Sequence, residues 1–555
     1  MSATDPAWIP EDPERTVWDV VVVGAGMGGA TAGYELARRG KRVLFLERGR
    51  FLQREPGAER GDLGDQSSDP DTRLRRGHWP LSIEGTVRVG DGINRLQAAL
   101  SAGELDFFAP LGCGTGGSTI LYGATLERFF PSDFRPREKF PDAPGATLPD
   151  AWPIGFEELA PYYEEAERLF HVQGSPDPLH PKNGDALTPP PALNDRDQDV
   201  FEFLTRKGLH PYRLHVGCSF QPGCDGCGGR LCLRACKSDA GWVCVVPAIE
   251  RFGAKLMAEC EVLRLHADAS RVTSVECRWR GGTRSIRART VVVASGALMT
   301  PVLLLSSRSE HWPDGLANRS GLVGRNLMVH CGDMIAVIPD RARPSLGFNK
   351  SLSFNDFYEH EGKKLGNVQS VGVAVDTGSV FGHLQQTLGK APRWLRGWIP
   401  RLALRVAARV GAFYFRNAVV FGSIVEDLPY LENRVVPDPA RKNGMRFEYR
   451  YTDDLARRNE SLRRGLARRL GRTRVVTLTR PLNLNFGHPC GTCRFGDDPA
   501  TSVLDADNRA HGVENLYVVD ASFFPSSSGT NPSLTIAANA LRVARRIAER
   551  MEHST

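Results

Sequence analysis

The segment NFGHPCGTCRFGDDP, residues 485–499, contains side chains that could do chemistry in two different ways. His488 lies two residues before Cys490 and five before Cys493, so the three side chains could bind a metal ion. A structural zinc site would need a fourth ligand, and C-x-x-C alone is common by chance. On a glycine-rich turn, His488 could instead accept and donate a proton near neutral pH, because its ordinary pKa is close to that range.

A second group of reactive side chains lies in the middle of the chain, where six of the twelve cysteines fall between Cys218 and Cys244. The spacing of four of them is dense enough for a four-thiolate metal or iron–sulfur site. These four are Cys224, Cys227, Cys232 and Cys236. The same cysteines could be reduced or paired structural thiols, or a redox-regulatory pair. The sequence leaves the three interpretations open, and the metal ligands, if any, unknown.

The elements that would hold such side chains begin near the N-terminus. A run of valines, residues 20–23, predicts a buried parallel strand, and Gly24-x-Gly26-x-x-Gly29 follows it directly. A helix and a second strand come next, and Glu47 ends that strand. The glycines allow backbone N–H groups to approach a pyrophosphate, and the acidic side chain can bind a ribose. The pattern predicts a dinucleotide site but does not distinguish FAD from NAD.

Length, composition and charge exclude several classes of protein. The chain has 555 residues, 41% of them hydrophobic and 24% charged, as in ordinary globular proteins with more than one lobe. Its net charge of +7 comes from scattered arginines, so we expect no nucleic-acid partner. No apolar run approaches roughly 18 residues, and the N-terminus resembles no signal peptide. We therefore expect a cytoplasmic protein without a transmembrane segment.

Four segments, taken in order, resemble one family. They are the strand–glycine–helix start, the second glycine-rich loop LGCGTGGSTILYGATLERF at 111–129, the histidine turn, and VVDASFFPSSSGTNPSLTIAANA near the C-terminus. Together they resemble the glucose–methanol–choline (GMC) family of FAD-dependent alcohol oxidoreductases, from residue 18 to about residue 548. The resemblance is weakest between about 330 and 480.

The resemblance implies roles for two side chains. The family's H-x-x-G-T-x-R-x-G turn begins here at His488, which would take the hydroxyl proton of an alcohol. Asn531, before Pro532, stands where the family has its second polar residue and would donate to the developing alkoxide. The implied reaction oxidises a CH–OH group to an aldehyde or ketone by hydride transfer to flavin N5.

The resemblance also implies a set of residues that contact FAD. They are Gly24, Gly26, Gly29 and Glu47 at the ADP half, Gly116, Gly117 and Ser118 in the second loop, the backbone of Val262 just before a strand, Asp520 and Ala521 near the pyrophosphate and ribityl chain, and Pro532 by the flavin ring. One departure concerns Tyr122, where the family usually has asparagine.

The expected fold class is α/β. A Rossmann-like FAD-binding domain would be combined with a discontinuous second α+β substrate-binding domain that contains an antiparallel sheet. We place the FAD-binding domain at 16–330, the substrate-binding lobe at 331–480, and a C-terminal return to the FAD-binding domain at 481–550.

The identity of the substrate and of the electron acceptor stays open at this point. We expect a small-molecule alcohol, with oxygen or a soluble or protein acceptor. An iron–sulfur cluster at the cysteines would favour a dehydrogenase that passes electrons to a partner protein. Alternative functions are a GMC-like lyase or isomerase with a non-redox flavin, and a flavin- or metal-binding protein without enzymatic activity.

A basic amphipathic stretch, RWLRGWIPRLALRVAARVGAFYFRN at 393–417, has two interpretations. Arginines at helical spacing on one side and apolar residues on the other are typical of a helix that lies on a membrane surface. They are more typical of an ordinary amphipathic helix packed on its own domain, which is the interpretation we favour.

Overall fold

The computed structural model describes most of the chain. The described residues are 8–54, 83–89, 103–107, 111–224, 226, 228–340, 343, 350–372, 384, 401–415, 417–441, 444–479 and 484–553. Cys227 and the predicted stretch 393–400 lie outside them.

Among these residues, seven strands form a mixed sheet, called here the nucleotide-side sheet. Its parallel part has the strand order Lys255–Met257, Val43–Leu46, Val17–Val23, Gly282–Val293 and Leu516–Val518. An antiparallel extension consists of Val272–Trp279 and Glu261–Ala267. Val20–Val23 is buried against both neighbouring strands, as expected for a run of β-branched residues inside a parallel sheet.

A second sheet, called here the antiparallel sheet, has eight strands in the described part of the chain. They are Tyr212–Arg213, Met328–Cys331, Met334–Val337, Leu352–Phe354, Gly366–Ser370, Val419–Val425, Val475–Thr477 and Leu484–Cys490. Its strands come from distant parts of the chain, which confirms the predicted α/β class with a discontinuous second unit. The domain boundaries at 330 and 480 stay predictions.

Helices cover the sheets and complete the two lobes. They are Met27–Arg38, Pro136–Lys139, Phe156–Leu169, Asp195–Arg206, Val246–Glu250, Gly296–Ser306, Arg401–Phe415, Asp453–Leu470 and Ser533–His553. A further sheet pairs Arg434–Pro437, Met445–Tyr451, Ile83–Val89 and Gly103–Phe107. Short strand pairs occur at Glu359–His360 with Lys363–Lys364, and at Val172–Gln173 with Val216–Gly217. The long C-terminal helix packs on Met27–Arg38, which lies near the start of the chain in sequence.

The basic amphipathic stretch includes the helix Arg401–Phe415. Its Val406, Val410 and Tyr414 are 51%, 65% and 58% exposed, whereas Ala408 is buried. An apolar side of this helix therefore faces outward, and membrane contact stays a prediction. None of the described helices combines the length and apolar character that a membrane span requires.

Candidate active site

The first glycine loop connects the strand Val17–Val23 to the helix Met27–Arg38. Gly24 has a φ of +95°, and a Cβ at this position would lie 2.5 Å from the carbonyl oxygen of Ala294, so only glycine fits. The N-cap position of the helix is Gly26, and no side chain caps the first turn. Its N–H groups are therefore open to an anion such as a pyrophosphate.

The second glycine loop lies directly against the first. The Gly116 N–H donates to the carbonyl of Ala25 at 2.8 Å. Gly117 has a φ of +56°, and a Cβ there would lie 2.7 Å from Cα of Gly26. The neighbouring Ser118 hydroxyl accepts from the N–H of Gly112, so its side chain stabilises the loop itself. The predicted cofactor residues of both loops are thus brought together by close backbone packing.

Glu47 is buried at the end of the second parallel strand. Its two carboxylate oxygens accept from the N–H of Ala25 at 2.9 Å and the N–H of Gly49 at 2.8 Å. Burial raises the pKa of this carboxyl group. Each oxygen keeps a lone pair for a further donor such as a ribose hydroxyl.

The position of Val262 differs from the prediction. Val262 was expected just before a strand, but it is the second residue of the strand Glu261–Ala267, because Glu261 already pairs with Arg278 of the neighbouring strand.

Asp520 connects the C-terminal segment to a second helix N-terminus. Its carboxylate accepts from the N–H of Gly296 at 2.9 Å, and from the N–H of Ser522 at 2.9 Å, and its pKa is raised by burial. The carbonyl of Ala521 next to it accepts from the N–H of Gly491 at 3.1 Å. This contact places the turn that follows His488 beside the predicted pyrophosphate and ribityl residues.

Buried polar atoms without a partner occur around these loops. Among the described residues, Thr115 Oγ1 and Asp239 Oδ2 by the second loop, and Asn531 Oδ1, have no hydrogen-bond partner. Burying such atoms without a partner is costly, so sites of this kind fit a polar ligand. Pro532 comes directly before the helix Ser533–His553. The open helix terminus, the close glycine approach and these unpaired atoms fit the FAD that the resemblance implies.

His488 lies on the strand Leu484–Cys490, which pairs with Met328–Cys331. Its Nδ1 is 2.9 Å from Nδ1 of His330, and the two rings are nearly perpendicular. Burial lowers the pKa of His488 well below its ordinary value, and the charges of His330 and Lys350 act in the same direction. The side chain is therefore neutral at physiological pH, as a proton acceptor must be.

The metal interpretation of this turn is not supported. Cys490 and Cys493 are buried, and burial raises the pKa of both thiols, so they stay protonated. Among the described residues, no group of three or more histidine, cysteine, aspartate or glutamate side chains could hold a metal ion.

The central cysteines pack as thiols in the part of the chain that is described. Cys218, Cys232 and Cys236 are buried in one small cluster, and Sγ of Cys232 is 3.7 Å from Sγ of Cys236. Burial and the neighbouring Cys232 raise the pKa of Cys236 to about 12. Since Cys227 is not described, the four-cysteine site stays a prediction, while the packing fits structural thiols.

The departure at Tyr122 has a structural explanation. Its hydroxyl donates to the carbonyl of Ser238 at 2.5 Å, so the side chain connects the second glycine loop to the segment after the cysteines. Lys237 in the same segment donates to the carbonyl of Ile120 at 2.8 Å and to that of Arg230 at 2.6 Å. The segment around Lys237 and Ser238 therefore stabilises the second glycine loop, and the Tyr122 hydroxyl makes one of the contacts between the two.

Lys350 is a site residue that the sequence analysis missed. It precedes the strand Leu352–Phe354, and its Nζ donates to the carbonyl of Gly123 at 2.6 Å, at the end of the second glycine loop. Burial lowers the pKa of Lys350 to about 7, helped by the charge of Lys237. No motif surrounds Lys350, so only the fold brings it to the site. His330 was missed as well, although a histidine in an apolar run was a usable signal.

Comparisons with known proteins show which family the chain resembles. The family description "GMC oxidoreductase" matches residues 208–332 and 426–540, and "FAD dependent oxidoreductase" matches residues 19–75. Paromamine 6'-oxidase of Streptomyces fradiae is 31% identical over 98% of this chain and 93% of its own length. 2-Methyl-1,2-propanediol dehydrogenase of Mycolicibacterium austroafricanum is 28% identical over 96% of this chain and 95% of its own.

A solved structure supports the fold. The crystal structure of pyridoxine 4-oxidase from Mesorbium loti superimposes with a TM-score of 0.62 at 20% sequence identity, covering 95% of this chain and 99% of that one.

Proposed function

The chain belongs to the GMC family of FAD-dependent oxidoreductases, and from that membership we propose that it oxidises an alcohol CH–OH group to an aldehyde or ketone with His488 as the base. Relatives over the whole chain are named as oxidases and dehydrogenases of alcohols. The observation that carries the proposal is the position of His488, whose following turn is joined to the carbonyl of Ala521 by the N–H of Gly491, beside the residues expected to hold FAD.

The residues of the chain divide the work on the alcohol. His488 takes the hydroxyl proton, since an alcohol releases a hydride readily only as that proton leaves. Asn531, whose Oδ1 is buried without a partner, offers its amide N–H to the developing alkoxide. Bound FAD supplies the acceptor for the hydride that leaves the carbinol carbon. The buried carboxylate of Glu47 holds the first glycine loop at Ala25, and that of Asp520 holds the C-terminal segment against the helix Gly296–Ser306.

Lys350 adds an amine to this site that is positively charged below its lowered pKa of about 7. Its side chain reaches across from the antiparallel sheet to the second glycine loop, and its charge lowers the pKa of His488. A buried ammonium group also stabilises negative charge on a reacting oxygen more strongly than it would in water. Lys350 therefore keeps His488 neutral before the reaction and favours the alkoxide, while it opposes the positive charge that His488 gains on taking the proton.

The substrate is proposed to be a polar small-molecule alcohol. Names of relatives give a starting panel of paromamine, 2-methyl-1,2-propanediol and pyridoxine. For the electrons we propose oxygen or a soluble or protein acceptor. The cytoplasmic location stays a prediction.

The test is an absorption spectrum of the purified protein before and after anaerobic addition of each alcohol. We expect a two-banded flavin spectrum that bleaches with at least one member of the panel or a close analogue. Product formation without bleaching would contradict the proposal and favour non-redox chemistry. Bleaching together with carbonyl product would establish the reaction class.

A further inference from the structure

His330 lies between the proposed base and a loop of the C-terminal segment. It is 1% exposed, on the strand Met328–Cys331. Its Nδ1 is 2.9 Å from Nδ1 of His488. On the other side of the ring, Nε2 is 3.2 Å from the carbonyl oxygen of Ser527 and 3.0 Å from that of Ser528. All three contacts are within hydrogen-bond distance.

These contacts determine where the protons of the two imidazoles lie. Carbonyl oxygens only accept, so Nε2 of His330 must carry its hydrogen. Burial lowers the pKa of His330 to about 4, so at neutral pH the ring has one N–H and its Nδ1 is an acceptor. His488 must then donate from its own Nδ1. Its Nε2 is left without a hydrogen and can accept one.

One neighbouring contact competes with this arrangement. The side-chain nitrogen of Asn485 is 3.3 Å from Nδ1 of His488, and would need that atom as an acceptor. The amide orientation is set by its oxygen, which accepts from the N–H of Gly487 at 2.9 Å. The His330 contact is shorter by 0.4 Å. The competing arrangement also requires a charged, buried His330, which its lowered pKa disfavours.

We propose that His330 is a positioning residue that holds His488 in the Nδ1–H tautomer and so directs its Nε2 toward the substrate hydroxyl. The role rests on the proposed function of His488 as base. It follows from the register of the two strands, which sets His330 opposite Asn485, three residues before His488. The loop at Ser528 is held in turn by Tyr358, whose hydroxyl lies 2.8 Å from the Ser528 hydroxyl.

The direct test observes the tautomer. Long-range ¹⁵N–¹H NMR of histidine-labelled holoenzyme distinguishes a protonated from an unprotonated Nε2, and His488→Gln assigns the signals. We expect His488 to carry its hydrogen on Nδ1 in the wild type. In His330→Leu, which removes the acceptor, we expect a mixture of tautomers. In His330→Asn, whose side-chain oxygen can accept in the place of Nδ1, we expect the Nδ1–H form to persist.

Kinetics supply the second readout. The anaerobic rate of flavin reduction should fall roughly 10²-fold in His330→Leu, with little change in substrate affinity, and recover partly in His330→Asn. An Nε2–H tautomer in the wild type would overturn the proposal, whatever the rates, and so would an unchanged tautomer in His330→Leu. If His330→Leu does not fold, the wild type and His330→Asn decide the question. Normal rates in His488→Ala, with the expected tautomer in the wild type, would refute the base and with it the positioning role, while the His330–His488 hydrogen bond itself would stand.

Discussion

Replacing Lys364 with methionine tests how the active-site loop is supported. The Lys364 ammonium lies in ion-pair contact with Asp133 and 2.6 Å from a carboxylate oxygen of Glu426, and all three side chains are fully buried. The hydroxyl of Tyr358 donates to Asp133 at 2.7 Å and accepts from the N–H of Gly529 at 3.2 Å. The buried charges are thus connected to the loop that precedes the proposed alkoxide donor.

The expected loss of stability follows from removing the ammonium group that pairs with both Asp133 and Glu426. Methionine keeps the length of the side chain but leaves Asp133 and Glu426 as buried carboxylates without their counter-ion. Removing one partner of a buried ion pair costs about 3–5 kcal/mol of unfolding free energy. Neutralising one of the two acids as well, in Lys364→Met/Glu426→Gln, should recover a large part of this loss.

The destabilisation should also depend on pH. Burial raises the pKa of Glu426. Lys364 opposes this rise more strongly than Arg458 does, so the pKa of Glu426 should rise further when Lys364 is removed. A carboxyl group whose folded pKa is raised costs stability as pH increases above its unfolded value, since the folded state then binds more protons. The gap between Lys364→Met and the wild type should therefore widen from pH 5 to pH 8.

The assay is thermal unfolding followed by circular dichroism at several pH values. Lys363→Met is the matched control, because Lys363 is the adjacent residue and is exposed. It should unfold within about a degree of the wild type, as exposed substitutions usually do. If Lys364→Met unfolds at the same temperature as this control across the pH range, the reasoning about the buried charges is refuted.

Three further predictions concern the cofactor loop, the cation and the surface helix. Gly117→Ala should lose bound FAD on desalting, because the added Cβ would lie 2.7 Å from backbone of the first glycine loop. Gly155→Ala, where the added Cβ has open space, should keep its FAD. An equal ratio of flavin to protein absorbance in the two variants would contradict this prediction. In Lys350→Met, the acid side of the pH profile of the flavin-reduction rate should move to higher pH by up to about one unit, because the charge that lowers the pKa of His488 is gone. An unchanged pH profile would contradict the electrostatic role of Lys350 beside His488. Val410→Asp should weaken co-sedimentation with anionic vesicles at low salt, and a wild type that does not sediment would exclude membrane contact.

The nucleotide-binding half of the fold could be predicted because its information is local. A run of valines, three spaced glycines and Glu47 lie within about thirty residues, and each has a backbone or charge requirement that few other residues meet. The structure brings them together as expected, with Gly24 in the left-handed region.

The support of His488, the proposed base, could not be predicted in the same way. His330 is 158 residues from His488 in sequence, and their contact depends on the pairing of two strands of the antiparallel sheet. Lys350 reaches Gly123 across 227 residues. Such pairs follow from tertiary register, which composition and spacing do not contain. The family resemblance placed Val262 before its strand rather than in it.

The most direct test of the central claim is the rate of anaerobic flavin reduction in His488→Ala, measured by stopped flow with an alcohol that bleaches the wild type. We expect the variant to keep its bound FAD and fold, and to be reduced about 10²- to 10⁴-fold more slowly, because the hydroxyl proton has no acceptor. Reduction at the wild-type rate by a variant that retains FAD would show that His488 is not the base.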